Sequence, residues 1–431
     1  MHSILQCMDC GQQYPIDRII YVCESCGGLL DVRHDFEAAP VSRETFDERL
    51  GQWKNPYASG VWRYKELVYP GIPDDKIISR PEGNTPLYHV PALAAWAGVQ
   101  TLYLKHEGQN PTGSFKDRGM TSGLTQANVL GVRRVACAST GNTSASLAAY
   151  AALGGFEGIV FFQNKQVALG KLAQAIAYGA TCIQVNADFD RNMELVREAA
   201  DRLGIYVLNS INPFRLEGQK TIIFEMIQQL RWQTPDWIVC PGGNLGNSSA
   251  FGKALRELYD LGLINRLPRL AIIQAEGANP LFRSFRRGLD ALEPVQAETI
   301  ATAIKIGSPV NYAKAVRALR WTDGVVEQVS DQEIMDAKAL IDRHGIGCEP
   351  ASACSLAGTA RLVRQGIIRP DETVAGILTG HLLKDPEATI HYHSRQLDGI
   401  AANHPNTLLS AEPSIEAISR LLQDSRSQSP V

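Results

Sequence analysis

The chain has 431 residues, 45% hydrophobic and 20% charged, with 37 glycines and 22 prolines, a globular α/β composition too long for one ordinary core. Forty-two basic residues against 45 acidic ones leave a formal charge of −3, so the positive field of a nucleic-acid or membrane-surface binder is missing and a small-molecule partner is expected. No run of eighteen apolar residues occurs, and the opening residues lack the basic and apolar stretches of a signal peptide, which makes the cytoplasm the expected compartment.

Residues 1–35 carry Cys7-Met-Asp-Cys10-Gly and Cys23-Glu-Ser-Cys26-Gly. This spacing converges four thiolates on one Zn²⁺, and the glycine after each pair permits the tight positive-φ turn of a metal knuckle. Free surface thiols and a nucleic-acid-binding ribbon are the competing readings, the second weakened by how few Arg and Lys lie nearby. A segment with so small a core needs the metal to fold, so a structural zinc ribbon is expected. Nine cysteines in all, an odd number, suit a reducing compartment.

Residues 36–110 are expected to connect the ribbon to the first part of a large α/β domain, with Trp53, Tyr57, Trp62 and Tyr64 as packing anchors. Beyond residue 100, apolar runs alternate with helical patterns, the signature of parallel sheets wrapped by helices. Strands are predicted at 101–107, 134–139, 158–163, 181–186, 205–209, 237–240, 270–275 and 373–378. They divide into a small domain over 111–210 and a large one resumed over 211–400, with a C-terminal helix and tail over 401–431.

Four segments carry chemistry. Gln109-Asn-Pro-Thr-Gly-Ser-Phe-Lys116-Asp-Arg-Gly-Met120 turns from a strand into a helix, with Ser114 expected as N-cap. An amine at a helix start sits at the positive end of the dipole, which favours the neutral form that attacks an aldehyde, so Lys116 is a Schiff-base candidate. Ala138-Ser139-Thr140-Gly-Asn142-Thr143-Ser144 places amide and hydroxyl donors at a second strand-to-helix turn, suited to a carboxylate or to plain capping. Cys240-Pro-Gly-Gly243-Asn244-Leu245-Gly246-Asn247 follows an apolar run and opens a helix, a main-chain phosphate cradle. It lacks the Gly-x-Gly-x-x-Gly spacing of a dinucleotide site and the Gly-Lys-Ser/Thr of a P-loop. Ile377-Leu-Thr379-Gly-His ends a late strand on a hydroxyl, which opposite a pyridine nitrogen leaves that nitrogen unprotonated.

Together these segments resemble the fold-type II family of pyridoxal 5′-phosphate (PLP) enzymes, and within it the threonine synthases. Asn84-Thr-Pro-Leu87, Val167-Ala-Leu-Gly-Lys-Leu-Ala-Gln174 and Asn209-Ser-Ile-Asn-Pro-Phe-Arg215-Leu-Glu-Gly-Gln-Lys220 add to the likeness, which spans roughly residues 80–390. The N-terminal zinc ribbon also occurs in some threonine synthases. The resemblance implies a tryptophan synthase β-like fold, two doubly wound parallel-sheet domains with the cofactor cleft between them. It implies Lys116 as the covalent attachment point, Asn142 on the cofactor's phenolic oxygen, Gly243, Asn244, Leu245, Gly246 and Asn247 on its phosphate, Thr379 on its ring nitrogen and Phe115 beside the ring. Ser139, Thr140 and Thr143 would meet the substrate carboxylate, and Lys171, Asn209, Ser210 and Arg215 the substrate phosphate.

The implied reaction turns O-phospho-L-homoserine and water into L-threonine and phosphate, with a homodimer as the assembly the resemblance allows. Leu382 stands where the family favours glycine, and Ser308 where asparagine is commoner; neither removes a cofactor group. The rival readings are cysteate synthase, threonine dehydratase or a β-replacement enzyme on the same fold, and, from another class, a zinc-ribbon regulatory or nucleic-acid-binding protein.

Overall fold

The computed structural model describes residues 3–37, 40–139, 141–163, 169–185, 198–200 and 202–427. Three sheets organise them. Strands β1 (Ser3–Cys7), β2 (Gln13–Pro15) and β3 (Leu30–His34) form an antiparallel ribbon in the order β2-β1-β3. Strands β4 (Leu87–His89), β5 (Thr101–His106), β10 (Trp237–Pro241), β11 (Arg269–Ala275), β12 (Val325–Val329) and β13 (Thr373–Leu378) make a large sheet ordered β12-β11-β10-β13-β5-β4, parallel except for β4. Between β5 and β10 in sequence lies a second, wholly parallel sheet of β6 (Arg134–Ala138), β7 (Glu157–Gln163), β8 (Thr181–Val185) and β9 (Ile205–Val207), ordered β8-β7-β6-β9.

Side-chain alternation explains the layering. Along β10, Ile238 and Cys240 join one core while Trp237 and Val239 join another, and β11 and β13 divide their residues the same way. A strand buried on both faces must be apolar throughout, which is why Trp237–Cys240 reads as an unbroken run. The eight predicted strands all form, with ends shifted by a residue or two. Besides the three ribbon strands, two strands of the large sheet were not predicted: β4 is only three residues long, and β12, Val-Val-Glu-Gln-Val at the sheet edge, looks too polar for a core strand. Of the four aromatic anchors, Trp62 and Tyr64 are fully buried, whereas Trp53 is exposed.

The helices that position the site are α1 (Lys116–Val129), α2 (Asn142–Gly154), α3 (Leu169–Ala177), α4 (Pro213–Gln219), α5 (Thr221–Gln229), α6 (Gly246–Asp260), α7 (Tyr312–Trp321) and α8 (Pro350–Arg364). Helix α1 leaves the large sheet after β5 and α4 leads back toward it. The two pack closely: a Cβ on Gly218 would overlap the Arg118 carbonyl oxygen, and the Gly218 amide donates to Ser122 Oγ at 3.1 Å. Gly218→Ala is therefore expected to destabilise by roughly 1–3 kcal/mol or more, seen as a lower denaturant midpoint. An unchanged midpoint would contradict this packing.

A buried ion cluster fixes the start of α1. Arg118 donates to Glu107 at 2.6 and 2.7 Å and to Glu225 at 2.8 Å, and Lys105 donates to Glu225 at 2.6 Å.

The ribbon is tied to the same scaffold through β3. Asp31 pairs with Lys314 (3.0 Å) and Arg317 (2.5 Å) of α7, and those cations hold its carboxyl well below the usual range against the cost of burial. His34 Nε2 lies 2.8 Å from Glu217 of α4, and Lys253 of α6 bridges Glu217 and the Val32 carbonyl, both at 2.5 Å.

Candidate active site

Each of the four chemical segments begins where a parallel strand ends: after β5, β6, β10 and β13. In such sheets the ligand crevice lies beyond the carboxyl ends of the strands. Main-chain bonds draw two of the segments together. Phe115 N–H donates to Thr379 O at 3.0 Å and His381 N–H to Gly113 O at 2.9 Å, a short antiparallel clasp that sets Lys116 beside the end of β13. Gly113 has φ +86°, and a Cβ there would press on the Lys384 side chain.

The turn before Lys116 is closed by Asp117, not by Ser114. Asp117 accepts from Thr112 N–H (2.7 Å), Thr112 Oγ1 (2.5 Å) and Ser146 Oγ (2.6 Å). Burial pushes its carboxyl up to about 6 in spite of those donors. Phe115 occupies the N-cap with helical dihedrals, so the expected Ser114 cap is corrected: its hydroxyl is buried without a partner among the described residues. Lys116 Nζ stands 4.2 Å from the Phe115 ring centroid. Desolvation, with the Arg215 charge behind it, lowers the amine to about 7, opposed by Glu349. A neutral amine near pH 7 is what addition to an aldehyde needs.

Asn142 begins α2 and donates from Nδ2 to Glu349 Oε2 at 2.9 Å. Thr379 Oγ1 reaches Glu349 Oε1 at 3.3 Å and Ser352 Oγ at 3.0 Å. Asn142, Thr379 and Lys116 thus surround one buried carboxyl. Sequence reasoning missed Glu349, because an acid before a proline at a helix start looks like ordinary capping.

On the phosphate-loop side, Leu245 takes φ +62° at the start of α6, Gly243 lies against Ile304, and Asn247 Oδ1 is buried without a partner among the described residues. Asn311 Nδ2 joins this loop to the next, donating to Ser210 O at 3.0 Å with Asn244 O at 3.4 Å. Asn209 spends its amide on Ala138, accepting at 3.0 Å and donating at 3.1 Å, which pins the end of β9 to that of β6.

Arg215 is 1% exposed; Nη1 donates to Leu208 O at 3.1 Å, while Nε and Nη2 find no acceptor among the described residues. No acid faces it among the described residues. A buried guanidinium without an anion is costly, and burial lowers it to about 10. Ser139 Oγ accepts from the Gly141 amide at 3.2 Å, and Thr143 is half-buried at the start of α2. Thr140 and the Lys171 side chain lie outside the described residues. A cavity of about 610 Å³ lined by Leu87, Thr101, Tyr103, Arg231 and Thr373 lies at the opposite ends of β5 and β13 and contains none of these groups.

Residues 78–380 match the family described as pyridoxal-phosphate dependent enzyme. A threonine synthase of Methanocaldococcus jannaschii is 51% identical over 387 residues, covering 89% of this chain and 94% of the relative. The chain belongs to the threonine synthase family. Threonine synthase 2, chloroplastic, of Arabidopsis thaliana agrees at 40% identity over 96% of this chain and 82% of its own. The fold is that of a T.th. threonine deaminase (TM-score 0.60, 23% identity, 75% of this chain and 97% of that one) and of maize serine racemase (TM-score 0.62, 19% identity, 79% and 99%). This family member is thus a PLP-dependent lyase of fold type II.

The residues present fit the cofactor. Among the described residues, a buried Ser114 hydroxyl without a partner and a lysine held near neutrality lie together in the turn that the family motif occupies.

The four ribbon thiols also fit a metal. Cys7, Cys10, Cys23 and Cys26 place their Sγ atoms within 4.8 Å of one another, with neighbours at 3.5 Å. Tetrahedral Zn–S arms of about 2.3 Å require a separation of about 3.8 Å. Gly11 and Gly27 both take positive φ, as the knuckle reading expects. No helix among the described residues is long and apolar enough to cross a membrane.

Proposed function

We propose that this enzyme converts O-phospho-L-homoserine and water to L-threonine and phosphate in the crevice around Lys116. The observation that carries the reading is Arg215, a buried cation with two donors that no described residue answers, on the loop expected to receive the substrate phosphate. A phosphate monoester supplies the missing anion and acceptors.

Lys116 would hold the cofactor's aldehyde, with Asn142 donating to the phenolic oxygen, Thr379 to the ring nitrogen, and the main chain of Gly243, Asn244, Leu245, Gly246 and Asn247 to its phosphate. Phe115 would pack beside the ring. When bound, PLP supplies a conjugated system that accepts negative charge developing beside the substrate's α-carbon. Ser139, Thr140 and Thr143 orient the substrate carboxylate, while Lys171, Asn209, Ser210 and Arg215 hold its phosphate. Asn209 keeps one amide hydrogen free of the Ala138 pair for that purpose. Lys116 would move protons at Cα and Cβ of the substrate as phosphate is lost from Cγ and water is added at Cβ. The released phosphate, retained by Arg215, assists the last proton transfer.

Incubation with phosphohomoserine, phosphoserine and threonine separately tests this. Threonine with equimolar phosphate from the first is expected. Sulfite-dependent cysteate from phosphoserine, or 2-oxobutanoate from threonine, as the dominant product would overturn it in favour of the related activities.

The same reading divides the chain into ribbon (1–35), connecting segment (36–110), small domain (111–210), large domain (211–400) and tail, and places it in the cytoplasm, where nine cysteines without a disulfide are at home. It assigns Zn²⁺ to Cys7, Cys10, Cys23 and Cys26 as a structural metal. Chelation is expected to lower Tm by several degrees, because unfolding the ribbon strands Lys314 and Lys253 without Asp31 and the Val32 carbonyl. Since β3 also braces Glu217, two residues from Arg215, KM for the phosphorylated substrate should rise more than kcat falls. Metal analysis with thermal unfolding and kinetics before and after chelation checks both. An unchanged Tm after demonstrated metal loss would contradict the structural role.

A further inference from the structure

Helix α3 lies between β7 and β8 of the four-stranded sheet and carries Lys171 and, three residues later, Gln174. Leu172 and Ala175 are buried in one core with Leu147 and Ala148 of α2. Gln174 leaves the helix on a different face and meets two groups outside that sheet. Its Nε2 donates to Thr112 O at 3.3 Å, and its Oε1 accepts from Lys384 Nζ in the turn after β13. Among the described residues, Gln174 carries the side-chain hydrogen bonds that join α3 to the segments around Lys116.

Both partners of Gln174 are fixed from elsewhere. The Lys384 amide donates to His381 O at 3.0 Å, His381 N–H donates to Gly113 O at 2.9 Å, and a Cβ on Gly113 would come within 3.0 Å of Lys384 Cε. Burial lowers the Lys384 ammonium, opposed by the Glu349 and Asp117 carboxyls. Thr112 gives its N–H and its hydroxyl to Asp117, which leaves its carbonyl for Gln174. An ammonium only donates and a carbonyl only accepts, so the Gln174 amide has one orientation that satisfies both.

We propose that the Gln174–Lys384 bond is a latch that holds α3 against the crevice, which makes Gln174 a positioning residue for Lys171 and through it for the substrate phosphate. This rests on the assignment of Lys171 to that phosphate made above. With the bond broken, α3 keeps its packing on α2 but spends part of its time away from the Lys116 turn. Binding of a ligand that needs Lys171 is then weakened by the fraction of protein in which α3 is displaced. A ligand without a phosphate makes no demand on α3. Once the phosphorylated substrate is seated, Lys116 and the groups around it are unchanged, so the loss falls on KM rather than on kcat.

The test uses holoenzyme and two ligands: phosphohomoserine, followed by steady-state kinetics, and L-2-aminobutyrate, an unphosphorylated amino acid titrated against the cofactor's absorbance. Gln174→Leu should raise KM for the first about tenfold, the effect of one hydrogen bond to a charged group. Its kcat should stay within about twofold, and Kd for L-2-aminobutyrate should not move. An unchanged KM would overturn the proposal, and so would an equal loss for both ligands, which is what a merely structural contact gives. A double-mutant cycle identifies the partner and cancels whatever Lys384→Met does to Glu349 and Asp117. Adding Gln174→Leu to Lys384→Met should raise KM by less than about twofold; a further tenfold rise would show that Gln174 acts without Lys384, against the proposal. Should Gln174→Leu fail to fold, Gln174→Asn serves instead, withdrawing the amide by one methylene: it must show the same split between the ligands, and wild-type values count equally against the latch. Lys171→Met separates the two levels of inference. If it leaves KM for phosphohomoserine unchanged, Lys171 does not hold the phosphate, and that assignment and the proposal fail together. If it raises KM while Gln174→Leu does not, only the latch falls.

Discussion

Replacing Lys116 by alanine is expected to abolish the visible absorbance of the bound cofactor and to cut turnover by ~10³-fold or more, since one side chain supplies both the covalent anchor and the proton carrier. The fold should survive, because the change removes a desolvated amine and leaves the Thr112–Asp117 turn and the Arg118 ion cluster in place. Near-native circular dichroism and Tm alongside lost colour and activity would be the expected combination. Retention of colour would place the anchor elsewhere, and Lys384 would be the next residue to test.

The lowered amine has a consequence of its own. An ordinary lysine near 10.4 is neutral in roughly one molecule in 2,500 at pH 7, whereas Lys116 at about 7 is half neutral. The neutral amine is the attacking form, so cofactor capture by stripped protein should accelerate as pH rises toward 7 and level off above it. A rate that keeps climbing to pH 10 would show that the crevice does not desolvate the amine.

Arg215→Leu carries the second large effect. Losing a buried cation from a desolvated phosphate contact costs about 2–5 kcal/mol, so kcat/KM for phosphohomoserine should fall by roughly 30- to 5,000-fold, chiefly through KM. Stability should behave differently. Among the described residues Arg215 has one main-chain bond and no acid facing it, so exchanging it for a similar-sized apolar side chain relieves an uncompensated charge and should leave Tm unchanged or raised. Steady-state kinetics with thermal unfolding reads both. A loss of Tm without a rise in KM would make Arg215 a structural residue.

The two predictions also mark what was legible in the sequence. Strands buried on both faces, such as Trp237–Cys240, announce themselves as apolar runs, and the turns after β5, β6 and β10 carry the glycines and hydroxyls that sharp strand-to-helix turns need. Lys116, Asn142 and Thr379 could therefore be named from local pattern and resemblance. Groups brought in from distant sequence could not. Glu349 reaches Asn142 across 207 positions, and Asn311 links Ser210 to the phosphate loop from a helix start with no motif around it. The Ser114 cap failed for a related reason: Asp117, one turn further on, satisfies the backbone better, an exchange that propensity at a single position does not reveal. Likewise nothing in β3 foretells that its residues grip α4, α6 and α7; that depends on where the ribbon docks.

The most direct examination of the whole account is borohydride reduction of the folded, cofactor-loaded protein followed by proteolysis and mass spectrometry. One pyridoxyl adduct on the peptide containing Lys116 is predicted. A protein that folds and takes up PLP yet carries the reduced adduct on another lysine, or none at all, would contradict it.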